Sequence, residues 1–229
     1  MDRAFSLVGE ILANPERDNL DEVANELLSE YYDGCDLSSL RELLHSEDDN
    51  IVSWGVWIAT ELADVGKPLL PEVKRLLGHP SKRVRFFAIE CVQEWAGPSN
   101  SEELAIAISL LGDSDQAVRW KASGFVAFAP RAQLEYAVAG FAATNPESPY
   151  LSEIRWILGP DATDPVKISL ALQDSCLRHR KIAVAAAVRI AKTDIEPLRH
   201  ATMTDDSEIA QFARDMLERV ASANSASKT

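Results

Sequence analysis

The chain has 229 residues, 46% of them hydrophobic, enough to bury a sizeable core and to argue against global disorder. Its 23 Lys and Arg stand against 36 Asp and Glu, a formal charge of −13, which argues against a nucleic-acid partner and favours solubility and attraction to basic proteins. No apolar run approaches the ~20 residues of a membrane span, and the N-terminal MDRAFSLVGEILANPERD lacks a signal-peptide pattern.

Strand signals are scarce, and apolar residues recur at three and four places, as on one face of a helix. Residues 1–35 predict a capping pair of helices, with Asn19 and Glu22 forming a capping box. LSSLRELLHSEDDN then predicts a short helix and a polar turn before the stripe Val52, Val56, Ala59 and Ala63. PLLPEVKRLLGHPSK precedes Val84, Ala88, Cys91 and Val92. SEELAIAISLLGDSDQ, with a second capping box at Asn100 and Glu103, precedes Val118, Ala122, Phe125 and Val126. RAQLEYAVAGFAATNPESPYLSEIRWILG reads as a degenerate unit. DPVKISLALQDS, opened by Asp164 as N-cap and Pro165 in the first turn, precedes a weaker stripe at Ile182, Ala186, Arg189 and Ile190. DIEPLRHATMTDDS precedes Ile209, Ala213, Met216 and Leu217, and ASANSASKT at 221–229 reads as a frayed, flexible tail. Pro68, Pro80, Pro98, Pro130 and Pro149 fall between the expected helices.

The spacing is 32 from Val52 to Val84, 34 from Val84 to Val118 and 64 from Val118 to Ile182. A period of this size predicts a solenoid, because each amphipathic pair buries its apolar face only against its neighbours. LLGHPSKRVRFFAIECV and LLGDSDQAVRWKASGFV share a Leu-Leu helix end, a polar turn, Val-Arg, and Ala four after the Val. In these features they resemble HEAT repeats, particularly those of phycobilin-lyase-type proteins. The resemblance spans about residues 36–220; Ser53 and Ala183 stand where Arg is usual, and the unit at 131–159 lacks the pattern. It implies an all-α, right-handed superhelix of five to six helical hairpins forming a single domain, with the second helix of each pair lining a concave side. It does not imply one function.

With Val at angle zero on a helix advancing about 100° per residue, the Ala four later lies inside, at about 40°. The residue two later lies at about 200°, facing away from the first helices. That place holds Trp54, Phe86 and Trp120, with Trp57 on the same side and Arg85 and Arg119 flanking. On the HEAT reading these six residues form a concave aromatic groove with the composition of a binding hot spot. The alternative is structural: rings wedged between neighbouring second helices, and arginines in inter-repeat ion pairs with Asp113 or Asp115. Glu47, Asp48, Asp49, Asp113 and Asp115 form a candidate acidic rim, with basic turns at HPSKR and RHRK.

Signals for chemistry are weak. His45, His79, His179 and His200 form neither HExxH nor the His-Glu motifs of HEAT-like di-iron hydroxylases, and no GxGxxG, GxxxxGK or GxSxG occurs. No catalytic residue, metal or cofactor is expected. Three scattered cysteines, Cys35, Cys91 and Cys176, show no CxxC pair and read as buried thiols in a reducing, cytoplasmic compartment. The expectation is a non-catalytic scaffold that binds another protein through the groove, in its sharpest form an acidic inhibitor or immunity-type protein capping a basic toxin or nuclease. The alternative is an enzyme: a HEAT-like DNA glycosylase using Trp54, Trp57, Trp120 and Glu61, or a bilin lyase. The sequence leaves the partner's identity and the oligomeric state open.

Overall fold

The computed structural model describes residues 3–226, and the chain divides into two compact units, Met1–Ala96 and Gly97–Thr229. Each is a stack of helical hairpins with no strand among the described residues.

Unit 1 holds three hairpins: α1 (Arg3–Ala13) with α2 (Leu20–Tyr32), α3 (Ser38–Leu44) with α4 (Asp49–Glu61), and α5 (Leu70–Leu76) with α6 (Lys82–Trp95). Second helices stack on one another, α2 on α4 and α4 on α6, as α1 does on α3 among the first helices. A 3-10 stretch, Ala63–Leu69, leads into α5 and contains Pro68. Unit 2 holds four: α7 (Ser101–Ser109) with α8 (Gln116–Phe128), α9 (Arg131–Thr144) with α10 (Pro149–Leu158), α11 (Pro165–Ala171) with α12 (Leu177–Ile190), and α13 (Glu196–Ala201) with α14 (Ser207–Ala226). The unit boundary falls at Gly97, inside the array expected to run unbroken over 36–220. Helix α14 runs through 221–226 of the expected tail; the expectation for 227–229 lies outside the described residues.

The residues that open the five stripes, Val52, Val84, Val118, Ile182 and Ile209, are all buried, as are Ala88 and Ala122. The register read from the sequence is therefore the register of the core. Ala63 departs from it. Helix α4 ends at Glu61, and Ala63 is exposed at φ 44°, in the left-handed region that L-residues with a side chain rarely adopt. The 64-residue interval from Val118 to Ile182 also has a spatial explanation. The α9/α10 hairpin packs through α9 onto α7 and through α10 onto α12, while α8 packs on α12. The degenerate unit thus fills the gap in sequence without separating α8 from α12. Gly140 makes this crossing possible: a Cβ there would lie 1.9 Å from the Ser101 carbonyl oxygen.

Caps are set differently from the expectation. Asn19 and Asn100 precede their helices but make no side-chain cap bond. Asn100 instead accepts from the Gly97 amide, and Asn19 accepts from the Arg17 guanidinium. Asp164 does cap α11, accepting from the amides of Val166 and Lys167. The same device opens three of the second helices: Asp48 accepts from Asn50 and Ile51, Asp115 from Ala117 and Val118, and Asp206 from Glu208 and Ile209. Each such carboxylate satisfies amides that no intrahelical carbonyl can reach.

Candidate partner-binding surface

The Arg that follows the Val of each strong repeat has one role in both units. Arg85 Nη1 donates to the carbonyls of His79 and Pro80, at 2.7 and 2.8 Å. Arg119 Nη1 donates to those of Asp113 and Ser114, at 2.7 and 2.9 Å. In each case the guanidinium reaches back six and five residues and ties down the turn that leads into its own helix. At the equivalent place in α4, Ser53 bonds the Asp49 carbonyl instead, and Ala183 in α12 is buried without such a donor. Arg119 has a second commitment. Its Nε and Nη2 bind both carboxylate oxygens of Glu208 on α14, at 2.9 to 3.1 Å. Arg119 thus pairs with Glu208, a residue no local spacing relates to it, while the expected Asp113 and Asp115 act on it through their charge. Burial alone would raise the Glu208 carboxyl, but the Arg119 hydrogen bonds and the charges of Lys181 and Arg119 outweigh it and hold the group below its ordinary value.

The aromatics divide between the units. Trp120, on α8, is half-buried against α14: its ring meets Phe212 edge-on at 6.1 Å, the Arg219 guanidinium lies 5.4 Å from its centroid, and its indole N–H donates to Asp215 at 3.2 Å. In unit 2 the repeated aromatic is thus half-exposed and at the same time packed against α14. In unit 1 the three aromatics stand differently. Trp54 and Trp57, half-buried on α4, meet edge-to-face at 5.6 Å. Phe86 and Phe87, half-buried on α6, do so at 5.5 Å. Exposed Arg83 lies 5.7 Å from the Trp54 ring and 5.8 Å from the Phe87 ring, linking the two helices by cation–π contacts. The sequence reading missed Arg83 and Phe87; the doubled aromatic in RVRFF was the available signal.

The rim carboxylates carry local duties. Asp48 and Asp115 are helix N-caps, Asp113 accepts from the Asp115 amide, and Asp49 lies 3.7 Å from His79. Glu47 is exposed, as is Glu61 at the end of α4, whose carbonyl accepts the Tyr32 hydroxyl. Cys91 is buried, but Cys35 and Cys176 are half-exposed, against the expectation of three buried thiols; none of the three is in a disulfide. Among the described residues no group of His, Cys, Asp and Glu is placed to hold a metal, and no helix is long and apolar enough to cross a membrane.

No protein-family model matches the chain, and no curated protein matches it. Solved structures do. Two engineered proteins superpose at TM-score 0.52. One is 17% identical over 97% of this chain and all of its own, the other 16% identical over 97% of this chain and 98% of its own. A designed armadillo repeat protein is similar at TM-score 0.49 and 18% identity, over 94% of this chain and 98% of its own. The first two likenesses concern fold alone, and together with the stacked hairpins described above they support an all-α solenoid.

Proposed function

We propose that the chain is a non-catalytic protein-binding module of HEAT-like repeats whose unit 1 aromatic face takes a basic segment of its partner. One observation carries this reading. Four aromatic side chains on the adjacent helices α4 and α6 remain half-exposed, and a guanidinium already rests on two of their rings. A surface that accepts one guanidinium has the chemistry to accept others. The charge distribution supports it. Unit 1 contains 9 Lys and Arg against 19 Asp and Glu, so it carries −10 of the −13, while unit 2 has 14 against 17. Trp54, Trp57, Phe86 and Arg85 are the contact residues of this reading, joined by Arg83 and Phe87. Glu47, Asp48 and Asp49 contribute to the field that steers a cationic partner. Arg119, Trp120, Asp113 and Asp115 stay with unit 2, bound to their own structure. An inhibitor or immunity-type protein capping a basic toxin or nuclease in the cytoplasm is the specific form of this proposal.

Tryptophan fluorescence of the full chain, titrated with a short Arg/Lys peptide and with an acidic peptide of equal length, tests it. The basic peptide alone should give a saturable change that weakens with added salt. Trp57→Ala should weaken it roughly thirtyfold, the equivalent of about 2 kcal/mol at a hot spot. Binding that ignores Trp57→Ala, or no preference for the basic peptide, would remove this face from the account.

A further inference from the structure

Unit 2 holds a cleft of about 350 Å³ that neither the repeat architecture nor the proposed partner surface uses. Its walls come from α8, α10, α12, α14 and the 3-10 turn Leu110–Gly112. The volume falls within the range of small-ligand sites. Three cations line it, Arg119, Arg178 and Lys181, against one lining carboxylate, Glu208.

The cations are unequally satisfied. Arg119 holds both Glu208 oxygens and two turn carbonyls, and Asp113 and Asp115 also act on it. Lys181 is 7% exposed, and its ammonium reaches only Glu208 Oε1 at 3.3 Å and the Leu111 carbonyl at 3.4 Å. Both are long beside the roughly 2.8 Å of a good charge-assisted bond, and a third N–H is unused. Arg178 lies three residues earlier on α12, on the same face as Lys181. Its guanidinium sits over the Tyr150 ring at 5.9 Å, and its Nε is 3.4 Å from Glu153 Oε1 without a hydrogen bond. The other Glu153 oxygen is taken by His179 Nδ1 at 2.6 Å. Both terminal amino groups of Arg178 and the hydroxyl of Tyr150 have no protein partner among the described residues. The 42%-exposed Leu177 supplies apolar wall beside them.

The geometry points to a carboxylate-binding seat in this cleft, with the planar fork of Arg178 as the bidentate clamp, Lys181 and the Tyr150 hydroxyl as further donors, and Leu177 holding an apolar group attached to the carboxylate. A planar carboxylate matches a guanidinium fork, and one anion completes the coordination that Glu208 and Glu153 leave unfinished.

The test uses the full chain at constant ionic strength, with N-acetyl-leucine, its amide, acetate and inorganic phosphate as probes. The readout is the Arg178 Nε–H and Tyr150 ring signals by NMR. N-acetyl-leucine should shift both saturably and bind more tightly than acetate, and the amide should leave them unmoved. Arg178→Gln, at a side chain more than a third exposed, should weaken binding about tenfold or more while leaving circular dichroism unchanged. Lys67→Gln, at an exposed cation of unit 1 outside both sites, should leave it intact. A linear, unsaturable response, equal binding of the amide, wild-type affinity in Arg178→Gln, or tighter binding of phosphate than of N-acetyl-leucine would each overturn the assignment.

Discussion

Replacing Trp120 by Ala should cost unit 2 about 3 kcal/mol, and the same change at Trp57 should cost unit 1 less. A fully buried aromatic truncated to Ala loses about 3–5 kcal/mol; Trp120 is half-buried, so about half of that, ~2 kcal/mol, belongs to burial. The edge-on contact with Phe212 adds roughly 0.5–1 kcal/mol, and the Arg219 guanidinium over the ring adds about 0.5 kcal/mol more. Asp215 also loses a donor, but Gln211 still holds its other oxygen. For a chain of this length, about 3 kcal/mol lowers Tm by roughly 6–12 °C. Trp57 is half-buried as well and meets Trp54 edge-on, so burial and ring contact again contribute about 2 and roughly 0.5 kcal/mol; with no guanidinium over its ring and no indole hydrogen bond among the described residues, its truncation should cost about 2.5 kcal/mol. Urea and thermal unfolding followed by far-UV circular dichroism, with both variants in parallel, read the difference. Equal losses, or a Trp120→Ala protein within about 1 kcal/mol of wild type, would refute the division between an inter-repeat wedge in unit 2 and an open aromatic face in unit 1.

Ala88→Glu and Ala122→Glu each place a carboxylate at a fully buried position, and both should lose several kcal/mol in urea unfolding; near-wild-type stability in both would mean the packing register is wrong. Gly140→Ala drives a Cβ into the backbone of Ser101 and should destabilise, whereas Gly124→Ala, with open space around its Cβ inside α8, should stabilise by about 0.5–1 kcal/mol; the two melting temperatures should move in opposite directions. Glu208 titrates below its ordinary value when folded, so its contribution is present above the unfolded value of 4.5 and is lost as pH falls through the lower folded value. Wild type should therefore be more stable than Glu208→Gln near neutral pH, and the gap should close as the solution is acidified below 4.5; a gap independent of pH would show that the Arg119 pair contributes nothing through charge.

The local rules of helix periodicity and capping reached a long way here. Val, four residues, Ala is a statement about one helix face, and every stripe leader it nominated is buried, because a helix with an apolar face has only one favourable way to turn it. The acidic turns were equally legible as chemistry, although the local pattern did not show that Asp48, Asp115 and Asp206 also cap helices. The Arg after the Val was legible as a repeat signature but not as a clamp on the carbonyls five and six residues before it.

What the sequence determined by itself was the hairpin order, the buried register and the all-α class, since each depends on residues three to seven apart on one helix. What only the tertiary structure decided was the fate of side chains whose partners lie far along the chain. Trp120 and Trp54 occupy the same place in the same repeat pattern, and no rule of spacing separates them. Phe212 and Asp215 on α14 cover the first, while the second keeps an exposed Arg83 from α6 as its neighbour. Arg119 likewise finds Glu208 at a separation of 89 residues. That pairing exists because α8, α12 and α14 are brought together when α9 and α10 fold aside onto α7 and α12, a consequence of packing that local sequence does not encode.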